Sequence, residues 1–455
     1  MGGSAYPASR DAADSSRMMK ILIDHGAYDN FGDLAMLQAA VERISGIDGV
    51  ELQVQISPIS WRRENVQPVE YHVPLPVWGA NRVLKSRLIP DPVRRRLASI
   101  VREWRYRSFD RIGRGAGVGA HPVVTSAGLQ SIESWCKQYD ALFIAGGGDM
   151  NDVFPQALWR CCSLVHAFAE QRKPVLLSGQ QLGPIRRAES SRLLASALRS
   201  ATFVGVREPT DSLDILSDAG IQRDRIDMIG DDSLGIVPAD RAEVDTLLAR
   251  HGISAGRFIA VNVRMGPYTP VQDRHLRDLA ELLARLSSMS ALPLLAVRIS
   301  VAEDDSDLAS ARQLSGALGG GSLTILDREP LSVALVKGVL GRAHGAIGMS
   351  YHFCTFALSQ GVPAVAIHLG DYYDQKARGL AAFWGDDRLA MSIASLGGAA
   401  ARPVHEVFSD ASLRERLQQR AGEASRIWEN GFCAHFVRRL EVLASPPGRG
   451  GIAGY

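Results

Sequence analysis

The chain has 455 residues, 46% hydrophobic and 22% charged, with a formal net charge of +2. That length can bury a large core and is long for one domain, so two domains are expected, and the near-balanced charge excludes a polycation built for bulk nucleic-acid binding. The five cysteines, Cys136, Cys161, Cys162, Cys354 and Cys433, are scattered without a CxxC pair, so neither a disulfide framework nor a metal site is expected, and a reducing, cytoplasmic compartment fits.

Residues 1–17 are small and polar and lack the apolar centre of a signal peptide; a disordered tail is expected there. No apolar run reaches the roughly 18 residues needed to span a bilayer. From Met19 the chain repeats one pattern: apolar strand, glycine-rich or polar turn, amphipathic segment. Strands are predicted at Met19–His25, Glu51–Ile56, Ala141–Ala145, Pro174–Ser178, Phe203–Val206 and Ile226–Ile229. Several are continuous apolar runs, as expected of parallel strands covered on both faces. Helices are predicted at Asp33–Ile44, Gln156–Gln171 and Ser190–Ala201.

An insert over 60–124 breaks this rhythm. It holds a helical stretch with Val93, Leu97, Ile100, Val101 and Trp104 on one face and Arg94, Arg95, Arg96, Arg102, Arg105 and Arg107 around the rest. The reading preferred from sequence is a solvated helix packed by its apolar face. The alternative is a contact surface for an anionic membrane or a polyanionic acceptor, which would make the protein peripheral to the inner face of the cell membrane.

A second series follows Ala239. Strands are predicted at Phe258–Val263, Pro293–Ile299, Leu323–Leu326, Ala346–Met349 and Ala364–Ile367, with helices at Arg274–Ser287, Asp305–Leu318, Leu331–Gly341 and Phe353–Gln360. Two successive βαβα series imply two doubly wound, Rossmann-like α/β domains, over 18–239 and 240–445. A last helical stretch, Ser412–Ala444, is expected to pack back across the first domain, and 446–455 reads as an unstructured tail.

In open α/β sheets ligands bind beyond the carboxyl ends of the strands, so the candidate site residues are those that follow strands. After the first strand come Asn30, Gly32 and Asp33 at a helix start, where small residues and free N–H groups suit an anion and Asp33 could equally be a cap. After the third come Gly146, Gly147 and Gly148, then Asn151, which could orient sugar hydroxyls or cap a helix. Gln180 follows the fourth. Arg207 follows the fifth, able to hold a carboxylate or phosphate or simply to pair with Glu208. Asp232 sits in the adjacent pair Asp231-Asp232. The second domain offers Arg264, Ser350, His352 and Lys376.

The order GAYDNFGDLAML, FIAGGGDMND, LLSGQQLGP, GVRE-PTDS, SYH-FCTFALSQGVPAVAI and YYDQKARGL resembles that of the polysaccharide pyruvyltransferase family, over roughly Met19 to Leu380. The resemblance implies a fold like that of B-type glycosyltransferases, a phosphoenolpyruvate donor, no cofactor, and a saccharide or lipid-linked saccharide acceptor. Family members commonly carry Arg-x-His at the second-domain motif; here Ser350 stands at the arginine position and His352 is kept. The implied roles are anion holding for Arg207, Arg264 and Lys376, acid/base chemistry for His352, and acceptor positioning or deprotonation for Asp33, Asn151 and Asp232. Two other classes stay open: a B-type glycosyltransferase using a nucleotide sugar, and an inactive saccharide-binding homologue.

Overall fold

The computed structural model describes residues 18–25, 29–55, 66–75, 90–114, 117–265, 271–301, 306–320, 322–327 and 331–445. The expected tails, 1–17 and 446–455, and the segments 60–65, 76–89 and 115–116 of the insert lie outside the described residues.

The apolar runs form two parallel sheets. The first contains β1 (Met19–Asp24), β2 (Val50–Gln55), β3 (Val66–Val69), β7 (Ala141–Ile144), β8 (Gly147–Met150), β9 (Val175–Leu182), β10 (Phe203–Val206) and β11 (Ile226–Met228). Its order is β11-β10-β9-β7-β1-β2-β3, with β8 pairing β9. Between β3 and β7 lie β4 (Tyr71–His72), β5 (Pro122–Thr125) and β6 (Gly128–Ser131), a small antiparallel sheet that the sequence reading missed. The second sheet contains β12 (Ile259–Asn262), β13 (Leu294–Ala296), β14 (Leu323–Ile325), β15 (Gly345–Gly348), β16 (Ala364–His368) and β17 (Ala390–Ser392), in the order β14-β13-β12-β15-β16-β17.

Both sheets therefore run outward from a first strand in one direction and then jump back to its other side. The reversal falls between β1 and β7 in one sheet and between β12 and β15 in the other. Loops leaving neighbouring strands diverge at such a point and open a crevice at the carboxyl ends. The chain is a mixed α/β protein with two Rossmann-like units. Alternation along β1 shows how each sheet is covered: Ile21 and Ile23 enter one buried cluster and Leu22 the other.

Contacts between the halves are specific. Asn30 forms an antiparallel bridge with Ser300, flanked by Phe31 N–H donating to Ile299 O at 2.8 Å and Val301 N–H to Asp29 O at 2.8 Å. The buried Lys337 amine donates to the carbonyls of Ser233 (3.0 Å) and Ile236 (2.8 Å). The helices Ala411–Phe432 and Arg438–Ala444 return to the first sheet, where Phe436 meets Phe143 and Phe203 at centroid distances of 5.4 and 5.5 Å.

The insert helix spans Asp91–Gly113 and corrects the expectation for its packing. Tyr106, Phe109 and Ile112 are the residues it buries, while Val93, Leu97, Ile100 and Trp104 face outward. The inner face has partners waiting for it: Phe109 stacks on Trp159. Among the described residues no helix is long and apolar enough to cross a membrane.

Candidate functional site

A cavity of about 800 Å³ lies between the carboxyl ends of the two sheets, large enough for a ligand well beyond a small anion. Asn30, Asp33, Gly148, Arg207, Arg264, Ser350, His352 and Lys376 all line it. The sequence-predicted cations and imidazole therefore converge from both halves.

Local structure explains the placement. Asn30, not Asp33, caps the first helix (Phe31–Ile44), its side chain accepting from Gly32 N–H at 2.8 Å. That frees Asp33 to face the cavity. Gly32 itself is covered: a Cβ there would lie 2.0 Å from His352 Nδ1, so glycine is what lets the imidazole lie flat on the helix start. Gly32→Ala should displace His352, lower turnover by about a hundredfold and cost about 1–3 kcal/mol of stability through overpacking; unchanged turnover would show that the ring position is not demanding. Gly148 is bare for the same kind of reason, since a Cβ would lie 3.3 Å from both Arg207 Nη2 and Lys376 Cε.

His352 begins the helix Tyr351–Leu358 beyond β15, and its Nε2 lies 3.5 Å from Asp231 Oδ2. The same oxygen takes Arg207 Nη1 at 3.3 Å. Arg207 also donates to Gln181 Oε1, and its guanidinium lies 3.9 Å from the Tyr351 ring centre. Arg264 is held through Nε by Asp307 at 3.2 Å, and Asp307 is fixed by Asn262 Nδ2 (2.8 Å) and the N–H of Ile299 (2.7 Å). Lys376 donates to Tyr372 Oη, which in turn reaches Gly148 O at 3.4 Å.

Burial and neighbouring charges compete over the protonation states. It works to raise the Asp231 carboxyl, but the His352 imidazole and the Arg207 guanidinium outweigh it and hold Asp231 well below the usual range. His352 is pushed below the usual histidine range by burial, with Asp231 opposing. Burial, then the Arg207 charge, depresses the Lys376 amine; burial, then Asp149, raises the Asp33 carboxyl. A polyanion arriving here would restore protons to His352 and Lys376.

Other expected residues lie off the cavity lining. Asp232 is buried and accepts from Gly146 N–H (2.9 Å), Ser178 Oγ (2.7 Å) and Trp428 Nε1 (3.0 Å), a structural clasp between β7, β9 and the returning helix. Of the adjacent pair it is Asp231 that stands beside His352. Gly146 packs on Asp232, and Gly147 pairs within the sheet. Asn151 staples a turn, donating to Gly148 O at 2.6 Å and accepting from Val153 and Phe154 N–H. Gln180 donates to Ala145 O (2.8 Å) and Ser178 O (2.7 Å). The Arg207–Glu208 pairing does not form: Glu208 instead accepts from the N–H and hydroxyl groups of Thr210 and Ser212 at the next helix start.

Sequence reasoning overlooked Asp149, Tyr351, Tyr372 and Arg160 in the lining. The first three sit inside motifs already marked, at strand ends or helix starts. Arg160 lies within the helix Pro155–Glu170 and pairs with the buried Asp24 at 3.1 Å; nothing in its spacing marks it.

No curated protein matches the chain. Solved structures with the same fold include the S. aureus MnaA–UDP co-structure (13% identity, 95% of this chain and 100% of that one, TM-score 0.54). The calicheamicin glycosyltransferase CalG4 (12%, 94% and 100%, 0.51) and UDP-GlcNAc 2-epimerase from Neisseria meningitidis bound to UDP-GlcNAc (11%, 94% and 100%, 0.50) are also similar. Identities this low establish the B-type glycosyltransferase-like fold alone. The family model described as polysaccharide pyruvyl transferase matches residues 30–369, a stretch that contains Arg207, Arg264 and His352. The chain thus belongs to the polysaccharide pyruvyl transferase family and is a transferase.

Proposed function

We propose that this protein moves pyruvate from phosphoenolpyruvate onto two hydroxyls of a saccharide, forming a pyruvate ketal in exopolysaccharide or glycoconjugate synthesis. The observation that carries this reading is the meeting of Arg207, Arg264 and Lys376 from two domains around His352 in one cavity. A compact polyanion needs that arrangement of fixed positive charge. Ser350 stands at the cavity wall beside Arg264, Arg207 and Lys376; one of these three supplies the grip that an arginine there would give, the alternative being a changed donor or reaction.

The chemistry follows from the donor. His352 gives a proton to the methylene carbon of the enol, making a methyl group. A sugar hydroxyl, oriented by Asp33, adds to the neighbouring carbon. Phosphate leaves that carbon, and a second hydroxyl takes its place. Of the two hydroxyl protons released, one replaces the proton given by His352 and the other leaves on phosphate. Drawing the domains together would keep water from the intermediate.

Phosphoenolpyruvate with a saccharide pool should release inorganic phosphate and yield a ketal methyl signal in proton NMR. Thermal-shift stabilisation by UDP, GDP or CDP sugars but not by phosphoenolpyruvate would instead favour a nucleotide-sugar transferase. Lys376→Ala should weaken donor binding in calorimetry by about ten- to a hundredfold with little loss of fold stability. Unchanged affinity would take Lys376 out of the donor site.

A further inference from the structure

The helix Asp91–Gly113 has two apolar faces and buries one. At about 100° per residue, Val93, Leu97, Ile100 and Trp104 fall within about 60° of one another, opposite Tyr106, Phe109 and Ile112. The inner face is firmly held. Phe109 stacks on Trp159 at 5.2 Å, and Arg192 Nε grips Asp110 at 2.7 Å. The outer stripe is 50%, 37%, 58% and 51% exposed at Val93, Leu97, Ile100 and Trp104. Exposed Arg96, Arg107 and Arg111 run beside it, and arginine outnumbers aspartate and glutamate along the helix.

An outward tryptophan among aliphatic side chains, edged by guanidinium groups, matches an anionic headgroup layer: the apolar stripe reaches the acyl boundary and the arginines meet phosphates. The helix is also continuous with the cavity, because Arg105 on its flank lines the cavity wall. We propose that this helix docks on an anionic phospholipid surface and sets the cavity mouth against it, so that the acceptor is a saccharide carried on a lipid. The acceptor half rests on the pyruvyl-transfer reading; the docking half does not.

The test uses the full chain with vesicles of phosphatidylglycerol mixed into phosphatidylcholine, and with phosphatidylcholine alone. The wild type should sediment with the anionic vesicles and be released by salt. The double variant Ile100→Asp, Trp104→Asp should bind at least about tenfold more weakly with an unchanged circular dichroism spectrum. Its phosphate release with a short soluble saccharide should equal that of the wild type, whereas its turnover of a lipid-linked saccharide embedded in the vesicles should fall about tenfold. Equal sedimentation of both proteins, or sedimentation of neither, overturns the docking. So does a wild-type dimer that the double variant dissociates without any vesicle binding, because the stripe is then a self-contact. Equal turnover of the embedded acceptor by both proteins overturns the acceptor half. Vesicle binding with no phosphate release from any acceptor supports the docking and defeats the transfer reading separately.

Discussion

Replacing His352 by alanine should lower phosphate release from phosphoenolpyruvate by about 10²–10⁴-fold, the range expected when a positioned general acid is lost. The donor carbon is a weak base and will not take a proton from water at a useful rate. His352 is a cavity-lining imidazole, packed on Gly32 and backed by Asp231. Binding of the donor should survive, because Arg207, Arg264 and Lys376 remain. Near wild-type turnover would remove His352 from the mechanism. A companion variant supplies the sign. Asp231 favours the protonated imidazole, so Asp231→Asn should lower the His352 pKa further. If the protonated ring is the acid, activity falls as pH rises through that pKa. The alkaline limb of the kcat/KM profile should therefore move to lower pH in Asp231→Asn. A limb that stays in place would make Asp231 only a structural partner of Arg207.

Arg207→Ala should be the most damaging of the cation variants, because two effects coincide. The side chain is 1% exposed and shares the Asp231 oxygen with His352. Removing one member of a buried ion pair leaves the other desolvated, at a cost of about 3–5 kcal/mol. Urea unfolding should show that loss, and donor binding should weaken alongside it. Arg207→Lys keeps the charge but not the fork that reaches both Asp231 and Gln181, so it should recover only part of the stability. A full-strength fold in Arg207→Ala would mean that Asp231 is satisfied by His352 alone.

The two sheets were legible because parallel strands covered on both faces must be apolar throughout; Ala141–Ile144 and Phe203–Val206 leave little other choice. The convergence of Arg207, Arg264, His352 and Lys376 was legible because each follows a strand end in the chain. Adjacent residues were harder. Asp231 and Asp232 are chemically alike, and only the turn after β11 decides which faces His352 and which faces Trp428. The glycine motif divided similarly: Gly148 lines the cavity while Gly146 packs on a buried carboxylate. The insert helix defeated periodicity for a different reason. It carries apolar residues on both sides, so a moment over Val93–Trp104 could not show that Tyr106, Phe109 and Ile112 would win the buried position. The strands β4 to β6 are two to four residues long and leave almost no pattern to find.

The polypeptide passes from the first sheet to the second and then, in Ala411–Phe432, comes home. Two tethers joining two bodies act like a pair of door pins. Two crossings restrain the bodies more than a single linker would, and the Asn30–Ser300 bridge adds a third link between them. Arg207 and Arg264 stand on opposite leaves of that joint, so a charged guest gripped by both would itself link the two bodies.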